Sequence, residues 1–206
     1  TRCVACKILI APDKFKGTLT AQQAAKAISR GWKKARPDDK LTQLPISDGG
    51  DGFGPLMANA LYASPITIDS KDATGNKIEA SIWQTDDRVT LIESANLIGL
   101  SMLPKEQRNP FTVDSTGLGL ALQSDAAQDS SHCYIGIGGS ATNDGGFGMA
   151  TALGWSFLDK DRQPISSWPD LAQLESIKPP DIQLSFPLTT AVDVQNPLLG
   201  LNGCTR

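Results

Sequence analysis

The sequence has little of several features that would define a protein's class by themselves. Positive charge is not in excess, since 19 Lys and Arg residues face 22 Asp and Glu, for a net charge of −3. The basic surface typical of nucleic-acid-binding proteins is therefore not expected. No apolar run approaches the ~18 residues of a membrane span, and no signal-peptide pattern precedes Lys7. We expect a cytoplasmic protein that engages neither nucleic acid nor membranes.

Cysteine and histidine are also scarce, with 4 Cys and 1 His. Cys3 and Cys6 form a C-x-x-C, but no second pair follows at the spacing of a zinc site. Cys133 and Cys204 lie far apart in the sequence. His132, as the only histidine, has no partner for a catalytic triad or a histidine-rich metal site. We expect neither a disulfide framework nor zinc or Ser-His-Asp chemistry.

An alternation of strand and helix patterns is what the chain does have. An apolar strand at residues 7–10 precedes a capping box, Thr20-x-x-Gln23, and an apolar stripe at helical spacing that ends before Pro37. A strand at 40–46 and a helix at 53–63 follow. The order strand, helix, strand, helix predicts the βαβ arrangement of a parallel sheet, and hence an α/β fold.

From residue 64 the pattern changes to short strands at 66–69, 78–83 and 89–92, separated by turn residues at 74–76 and 86–87. Antiparallel hairpins are predicted there. The change marks a domain boundary, so we predict one domain from 1–64 and a second from 65–206. Further predicted elements are a loop at 108–110, a helix at 118–127, a buried strand at 131–137, an irregular surface at 160–185 and a strand at 188–194.

The most informative segment is the glycine-rich loop GIGGSATNDGG at residues 136–146. Its glycines allow backbone amides to approach an anion, and a helix is predicted to begin just after it, with its positive end at the same place. The loop matches neither the common phosphate loop nor the dinucleotide fingerprint. A tight strand-to-helix turn is the structural alternative. The candidate ligand-binding residues of the 136–146 loop are Gly138, Gly139, Ser140, Asn143 and Asp144.

Three more loops follow predicted strands and carry an aspartate, and the last of them along the chain is DVQNPLLG at 193–200. SDGGDG at 47–52 supplies carboxylates that suit a magnesium ion or a hydroxyl proton, and PDKFKG at 12–17 adds lysines that neutralise phosphate. Open α/β sheets bind ligands outside the carboxyl ends of their strands, so four such loops together predict one ligand site. Their candidate residues are Asp48, Asp51, Asp13, Lys14, Lys16, Asp193 and Asn196.

These segments resemble the class I, bacterial-type glycerate kinase family, through IAPDKFKGTLTAQQAAKAI, LPISDGGDG, RNP, GIGGSATNDGGFGMATALG and DVQNPLLGLNG. The resemblance spans essentially the whole chain. It implies phosphorylation of D-glycerate by ATP with Mg²⁺, usually at the 2-hydroxyl, giving 2-phosphoglycerate. It also implies a flavodoxin-like domain completed by a C-terminal segment, with a second, mixed α/β domain inserted and the site in the cleft between them.

The hypothesis for the mechanism assigns roles to these residues. Amides of Gly138, Gly139 and Ser140 would cradle phosphate, Lys16 would neutralise charge, and Asp13 would hold a metal or a hydroxyl. Either Asp48 or Asp51 would polarise the glycerate hydroxyl or bind Mg²⁺. The remaining candidates are Asp144 and Asp193 for the same two roles, Asn143 and Asn196 for hydrogen bonds, and Arg108, which either binds the glycerate carboxylate or ties down its own loop.

Two departures from the family pattern shape the alternatives. Family members are longer, so one alternative is an inactive fragment that keeps anion or nucleotide binding. Leu120 stands where the family pattern has Glu, which leaves substrate contacts from its segment open. A third hypothesis, an oxidoreductase, would use GIGGS as a dinucleotide turn and Asp159 as its ribose ligand. Neither the regiochemistry nor a homo-oligomeric state is fixed by the sequence.

Overall fold

The structure, a computed structural model, describes residues 4–181, 184–192, 197 and 200–201. It divides into two compact units, Thr1–Asp48 and Gly49–Arg206. Residues 49–63 therefore group with the second unit, whereas the sequence pattern changes only at residue 64. The predicted division into domains 1–64 and 65–206 stays a prediction.

The first unit contains strand β1 (Lys7–Ile10), helix α1 (Ala21–Ala35) and strand β2 (Lys40–Gln43), with the two strands paired in parallel. The predicted capping box is confirmed: Thr20 Oγ1 accepts the Gln23 amide at 3.1 Å, and the Gln23 side chain accepts the Thr20 amide at 2.9 Å. Strand β2 ends before residue 46, its predicted end, although the Leu44 amide still donates to the Ile10 carbonyl at 2.8 Å and the Ile46 amide to the Pro12 carbonyl at 3.0 Å.

Asp39, which is only 2% exposed, joins the end of α1 to the start of β1. Its carboxylate accepts the Cys6 amide at 2.9 Å, the Trp32 indole N–H at 2.9 Å and the Arg36 guanidinium at 3.1 Å. The Cys6 amide, the Trp32 N–H and Arg36 hold the pKa of Asp39 below its usual value, against the opposing effect of burial. The carboxylate is thus a structural anchor of the first unit.

The second unit is built around a five-stranded sheet with the order β3-β4-β5-β6-β9. Strand β4 pairs antiparallel with both β3 and β5, whereas β5, β6 and β9 run parallel. The strands are β3 (Ser64–Lys71), β4 (Lys77–Gln84), β5 (Val89–Glu93), β6 (His132–Gly136) and β9 (Leu188–Ala191), with β7 (Ser156–Leu158) and β8 (Ser176–Lys178) forming a separate antiparallel pair. The α/β class is confirmed.

Helices of the second unit connect and cover these strands. They are α2 (Phe53–Leu61), α3 (Ala95–Ile98), α4 (Thr116–Gln123), α5 (Asp125–Gln128) and α6 (Phe147–Ala152), with short 3₁₀ segments at Leu100–Met102, Lys105–Gln107 and Trp168–Gln173. In the described part of the chain, no helix is both long and apolar enough to cross a membrane.

The turn between β3 and β4 explains the predicted hairpin. Although burial raises the pKa of Asp72, hydrogen bonds from the side chains and amides of Thr74 and Asn76 outweigh it and lower this pKa below its usual value. The ionised side chain thereby closes the turn. The antiparallel prediction for this segment is confirmed.

The core lies where the sheet meets α3 and α4, and it contains Ile82, Ile92, Leu97, Leu122 and Ile135, all at most 2% exposed. Cys133 lies in the same cluster, and burial raises the pKa of its thiol to about 12. This cysteine is therefore a neutral apolar side chain, as the sequence predicts for a buried strand.

Two predicted elements differ from the structure. The helix predicted at 118–127 is two helices, α4 and α5, because Ser124 is extended (ψ 149°) and its hydroxyl accepts the Ala127 amide as a new N-cap. The surface at 160–185 is not wholly irregular: it contains β8, which pairs with β7. Each of these strands has only 3 residues, which is too short for the alternation over about 4–8 residues that identifies a strand in sequence.

Candidate active site

The three parallel strands of the second unit end side by side. Glu93, the last residue of β5, pairs with Gly136 of β6, and Gly136 pairs with Ala191 of β9. This carboxyl edge is where ligands of open α/β sheets bind. We call it, together with loops 49–54 and 137–146, the sheet-edge site.

The two glycine-rich loops of the second unit pack directly on each other at this edge. The Gly138 amide donates to the Gly49 carbonyl at 3.0 Å. A Cβ atom at Gly136 would lie 2.5 Å from the Gly49 oxygen, and one at Gly138 would lie 2.7 Å from the Gly50 Cα. Side chains here would force the loops apart. The structure thus brings together two loops that the sequence predicts as parts of one site.

Asp51 lies against the backbone of Gly139, whose φ is +79°. A Cβ atom at Gly139 would be 2.9 Å from Asp51 Oδ1. The amides of Gly139 and Ser140 donate to no acceptor among the residues that the structure describes, whereas the Gly138 amide is engaged by Gly49. The part of the predicted cradle that remains available for an anion is therefore Gly139 and Ser140, beside a carboxylate.

Glu93 fixes the segment that follows Asp51. It is 5% exposed, and its two carboxylate oxygens accept the Gly52 amide at 2.9 Å and the Gly54 amide at 2.8 Å. These amides lie at the start of α2, where the positive end of the helix favours a carboxylate. Glu93 thus ties loop 49–54 to the end of β5.

Asp144 has the same kind of role at the start of α6. It is 4% exposed, and Oδ2 accepts the Ser115 amide (2.9 Å), the Ser115 hydroxyl (2.7 Å) and the Gly148 amide (2.9 Å), while Oδ1 accepts the Gly146 amide at 3.2 Å. The helix does begin directly after the loop, as predicted. However, the Gly146 and Gly148 amides at the start of α6 already donate to Asp144. These bonds favour a structural role for Asp144 over a phosphate or metal site there.

Two other candidates of the second unit contact their own surroundings. The Arg108 Nε donates to the Leu103 carbonyl at 3.0 Å, so this exposed arginine ties down its own loop. Asn143 is half-buried within loop 137–146. Asp193 and Asn196 lie outside the described residues. Their predicted roles, like those of the other candidates, stay predictions.

The first unit holds the remaining candidates, in the loops that follow β1 and β2. Lys14 Nζ forms an ion pair with Asp48 Oδ1 at 2.6 Å, and both side chains are mostly buried. Asp13 Oδ1 accepts the Lys14 amide at 2.6 Å. Lys16, the lysine with the predicted catalytic role, is exposed. The unit therefore joins two predicted loops through Lys14.

Sequence reasoning missed Glu93 and Ser115. A signal for Glu93 exists, because it ends the apolar run of residues 89–92 and thus meets the same strand-end criterion that selects the aspartates. Ser115 had no such signal, since its contact with Asp144 is made across loops distant in sequence. Among the described residues, no group of three or more Asp, Glu, His or Cys side chains gathers to hold a metal ion.

Comparisons with known proteins agree with this architecture. The profile of the Glycerate kinase family matches residues 8–206. Glycerate kinase of Halalkalibacterium halodurans is 38% identical over 202 residues, which cover 95% of this chain and 53% of the relative. Glycerate 2-kinase of Escherichia coli K12 is 35% identical over 208 residues, covering 97% and 54%. A crystal structure assigned to glycerate kinase 2 from Salmonella typhimurium LT2 superposes with a TM-score of 0.80 at 37% identity, over 97% of this chain and 55% of that one.

The fold and these matches place the chain among α/β proteins whose relatives carry kinase names. The chain belongs to the Glycerate kinase family, as its motifs predict. It spans about half the length of the curated relatives it matches.

Proposed function

We propose that this chain takes part in the ATP-dependent phosphorylation of D-glycerate, with the 2-hydroxyl as the favoured acceptor. The observation that carries the proposal is the packing of loop 49–54 on loop 137–140 at the ends of three parallel strands, which sets Asp51 beside two available amides. Relatives named glycerate kinase, and one named glycerate 2-kinase, support the substrate and the position. We propose the cytoplasm as its location.

In the proposed mechanism the sheet-edge site acts mainly by positioning and charge stabilisation, as is usual for phosphoryl transfer. The amides of Gly139 and Ser140 donate to oxygens of the transferred phosphoryl group. Asp51 accepts the proton of the glycerate hydroxyl. At the same time the hydroxyl oxygen bonds to the γ-phosphorus of ATP, and the bond from this phosphorus to the oxygen that leaves with ADP breaks. Exposed Lys16 of the first unit supplies positive charge for anionic substrate groups, whereas the charge of Lys14 is already paired with Asp48.

Magnesium is proposed as the ion that accompanies the ATP phosphates. The donor set of Asp144 does not suit it, because four hydrogen bonds already fill this buried carboxylate. Exposed Asp51 has the oxygen ligands that Mg²⁺ prefers, and it accepts no hydrogen bond from the described residues. We therefore propose Asp51 as the described carboxylate that fits the ion best, in a role that is the alternative to accepting the hydroxyl proton.

Two other functions compete with this proposal. Binding of nucleotide or anion without turnover needs only the amides of Gly139 and Ser140, so it remains the main alternative. The oxidoreductase hypothesis is weaker, because Asp159 Oδ1 accepts the amides of Asp161 and Gln163 and thereby closes its own turn. A carboxylate used in this way is poorly placed to hold a ribose.

The test compares two proteins: the 206-residue chain, and a chimera in which it is followed by the unmatched residues of the Halalkalibacterium halodurans relative. ADP release with D-glycerate, ATP and Mg²⁺ gives the rate, and ³¹P NMR identifies the phosphoglycerate. We expect turnover, and we expect Asp51→Asn to reduce its rate by at least about a hundredfold. Asp170→Asn, at an exposed aspartate, is the control and should leave the rate unchanged. If calorimetry shows nucleotide binding but neither protein turns over D-glycerate, the binding alternative is selected. If neither protein binds nucleotide or turns over D-glycerate, the proposal is overturned.

A further inference from the structure

Glu93 is a buried charge that the proposed reaction does not use directly. A carboxylate that is 5% exposed is costly unless hydrogen bonds replace its water. Here each oxygen takes one backbone amide, from Gly52 and from Gly54. The arrangement is therefore a two-point clamp on a short stretch of backbone, and the side chain that projects from that stretch is the exposed Asp51.

Asp51 itself has no side-chain hydrogen bond to a described residue that would fix its carboxylate. Its position depends on the backbone at either side. On the amino side, the Gly49 carbonyl accepts the Gly138 amide at 3.0 Å. On the carboxyl side, the Gly52 and Gly54 amides are held by Glu93, and Gly52 has a φ of +87° that leaves little intrinsic preference for one conformation.

We propose that Glu93 is a positioning residue for the phosphoryl-transfer reaction, acting through the Gly52 and Gly54 amides to hold the Asp51 carboxylate beside Gly139. This inference rests on the proposed function. Glu93 ends β5 in register with Gly136 of β6. Glu93 therefore holds the Asp51 segment at the same edge of the sheet as the loop that carries the amides of Gly139 and Ser140.

The charge of Glu93, and not only its shape, is needed for this role. Glutamine has the same length but offers one oxygen and one NH₂ group. In Glu93→Gln one of the two amides would face a donor instead of an acceptor, so one point of the clamp is lost. The Asp51 segment then samples positions away from Gly139, while the buried side chain keeps its volume.

The experiment is a double-mutant cycle of Glu93→Gln and Asp51→Asn in whichever form of the protein turns over, with Glu79→Gln as the control at an exposed glutamate on β4. We expect Glu93→Gln to lower kcat by about tenfold or more with little change in the KM for ATP. In the Asp51→Asn background the same change should have almost no further effect, because the residue it positions is already removed. Glu79→Gln should leave kcat unchanged.

Amide hydrogen exchange measured by NMR in the 206-residue chain is the second readout, and it needs no activity. Exchange at Gly52 and Gly54 should accelerate in Glu93→Gln and not in Glu79→Gln. Equal loss of kcat in both backgrounds would mean that Glu93 acts independently of Asp51 and would overturn the proposal, as would unchanged exchange. If no form turns over glycerate, the proposed function fails, and exchange alone decides whether Glu93 holds the segment.

Discussion

The buried carboxylate of Asp144 offers the sharpest test of how loop 137–146 is held. Asp144→Asn keeps the shape of the side chain but removes its charge and one acceptor. An asparagine that places its oxygen at the Oδ2 position keeps the bonds from Ser115 and Gly148, and turns its NH₂ group towards the Gly146 amide. The substitution therefore weakens three hydrogen bonds and loses a fourth.

The size of the effect follows from these four contacts. A hydrogen bond to a charged group contributes about 1 kcal/mol more than a neutral one, and a lost bond costs about 1 kcal/mol. Since a neutral side chain is easier to bury, we expect a net loss of about 3 kcal/mol in the free energy of unfolding. This is a large part of the roughly 5–15 kcal/mol that stabilises a domain, yet it leaves the unit folded.

Urea unfolding followed by tryptophan fluorescence measures this loss, with Trp83, Trp155 and Trp168 as reporters in the same unit. The midpoint should fall by about 1.5 M urea. Asp129→Asn, at a carboxylate that is 63% exposed, is the control and should cost under about 1 kcal/mol. A loss below about 1 kcal/mol for Asp144→Asn would refute the reasoning. Stabilisation of the wild type by Mg²⁺ that disappears in Asp144→Asn would instead favour the metal-ligand role.

Three further predictions concern other parts of the chain. Because the pKa of Asp39 is lower in the folded state, its stabilisation is complete above the ordinary value of 3.8 and is lost as pH falls through the lowered pKa; Asp39→Asn should flatten the acid limb of an unfolding titration followed by circular dichroism. The Cys133 thiol should resist iodoacetamide in the native protein at pH 8, whereas exposed Cys6 reacts, as peptide mapping would detect. Gly31→Ala, which meets open space within α1, should raise stability by about 0.5–1 kcal/mol, while Gly136→Ala should destabilise the second unit and lower its thermal midpoint, because its Cβ meets the Gly49 carbonyl at 2.5 Å.

The features that the sequence predicted well are those encoded by neighbouring residues. The capping box of Thr20 and Gln23 and the antiparallel segment after residue 64 are both local, and both are confirmed. The family motifs also predicted the family correctly, since they are short and contiguous.

The features that the sequence could not predict depend on long-range packing. Nothing near Asp144 indicates that Ser115 fills its carboxylate, and nothing in SDGGDG indicates that Glu93 holds it. The split of the 118–127 helix is a smaller case: serine favours N-caps but also occurs within helices, so Ser124 alone does not decide between one helix and two. The predicted chemical roles need ligands as well as packing, so they stay predictions.

The mixed direction of the five-stranded sheet has a consequence for the order in which the second unit folds. Antiparallel β3 and β4 meet across a short turn, so this hairpin closes early and at low entropic cost. The parallel pairs β5–β6 and β6–β9 join segments separated by whole helices, and contacts of such long sequence separation form slowly. We expect the edge that carries Glu93, Gly136 and Ala191 to assemble last during folding. Ligand binding at this edge is then a marker of complete folding, which a native-like hairpin alone would not give.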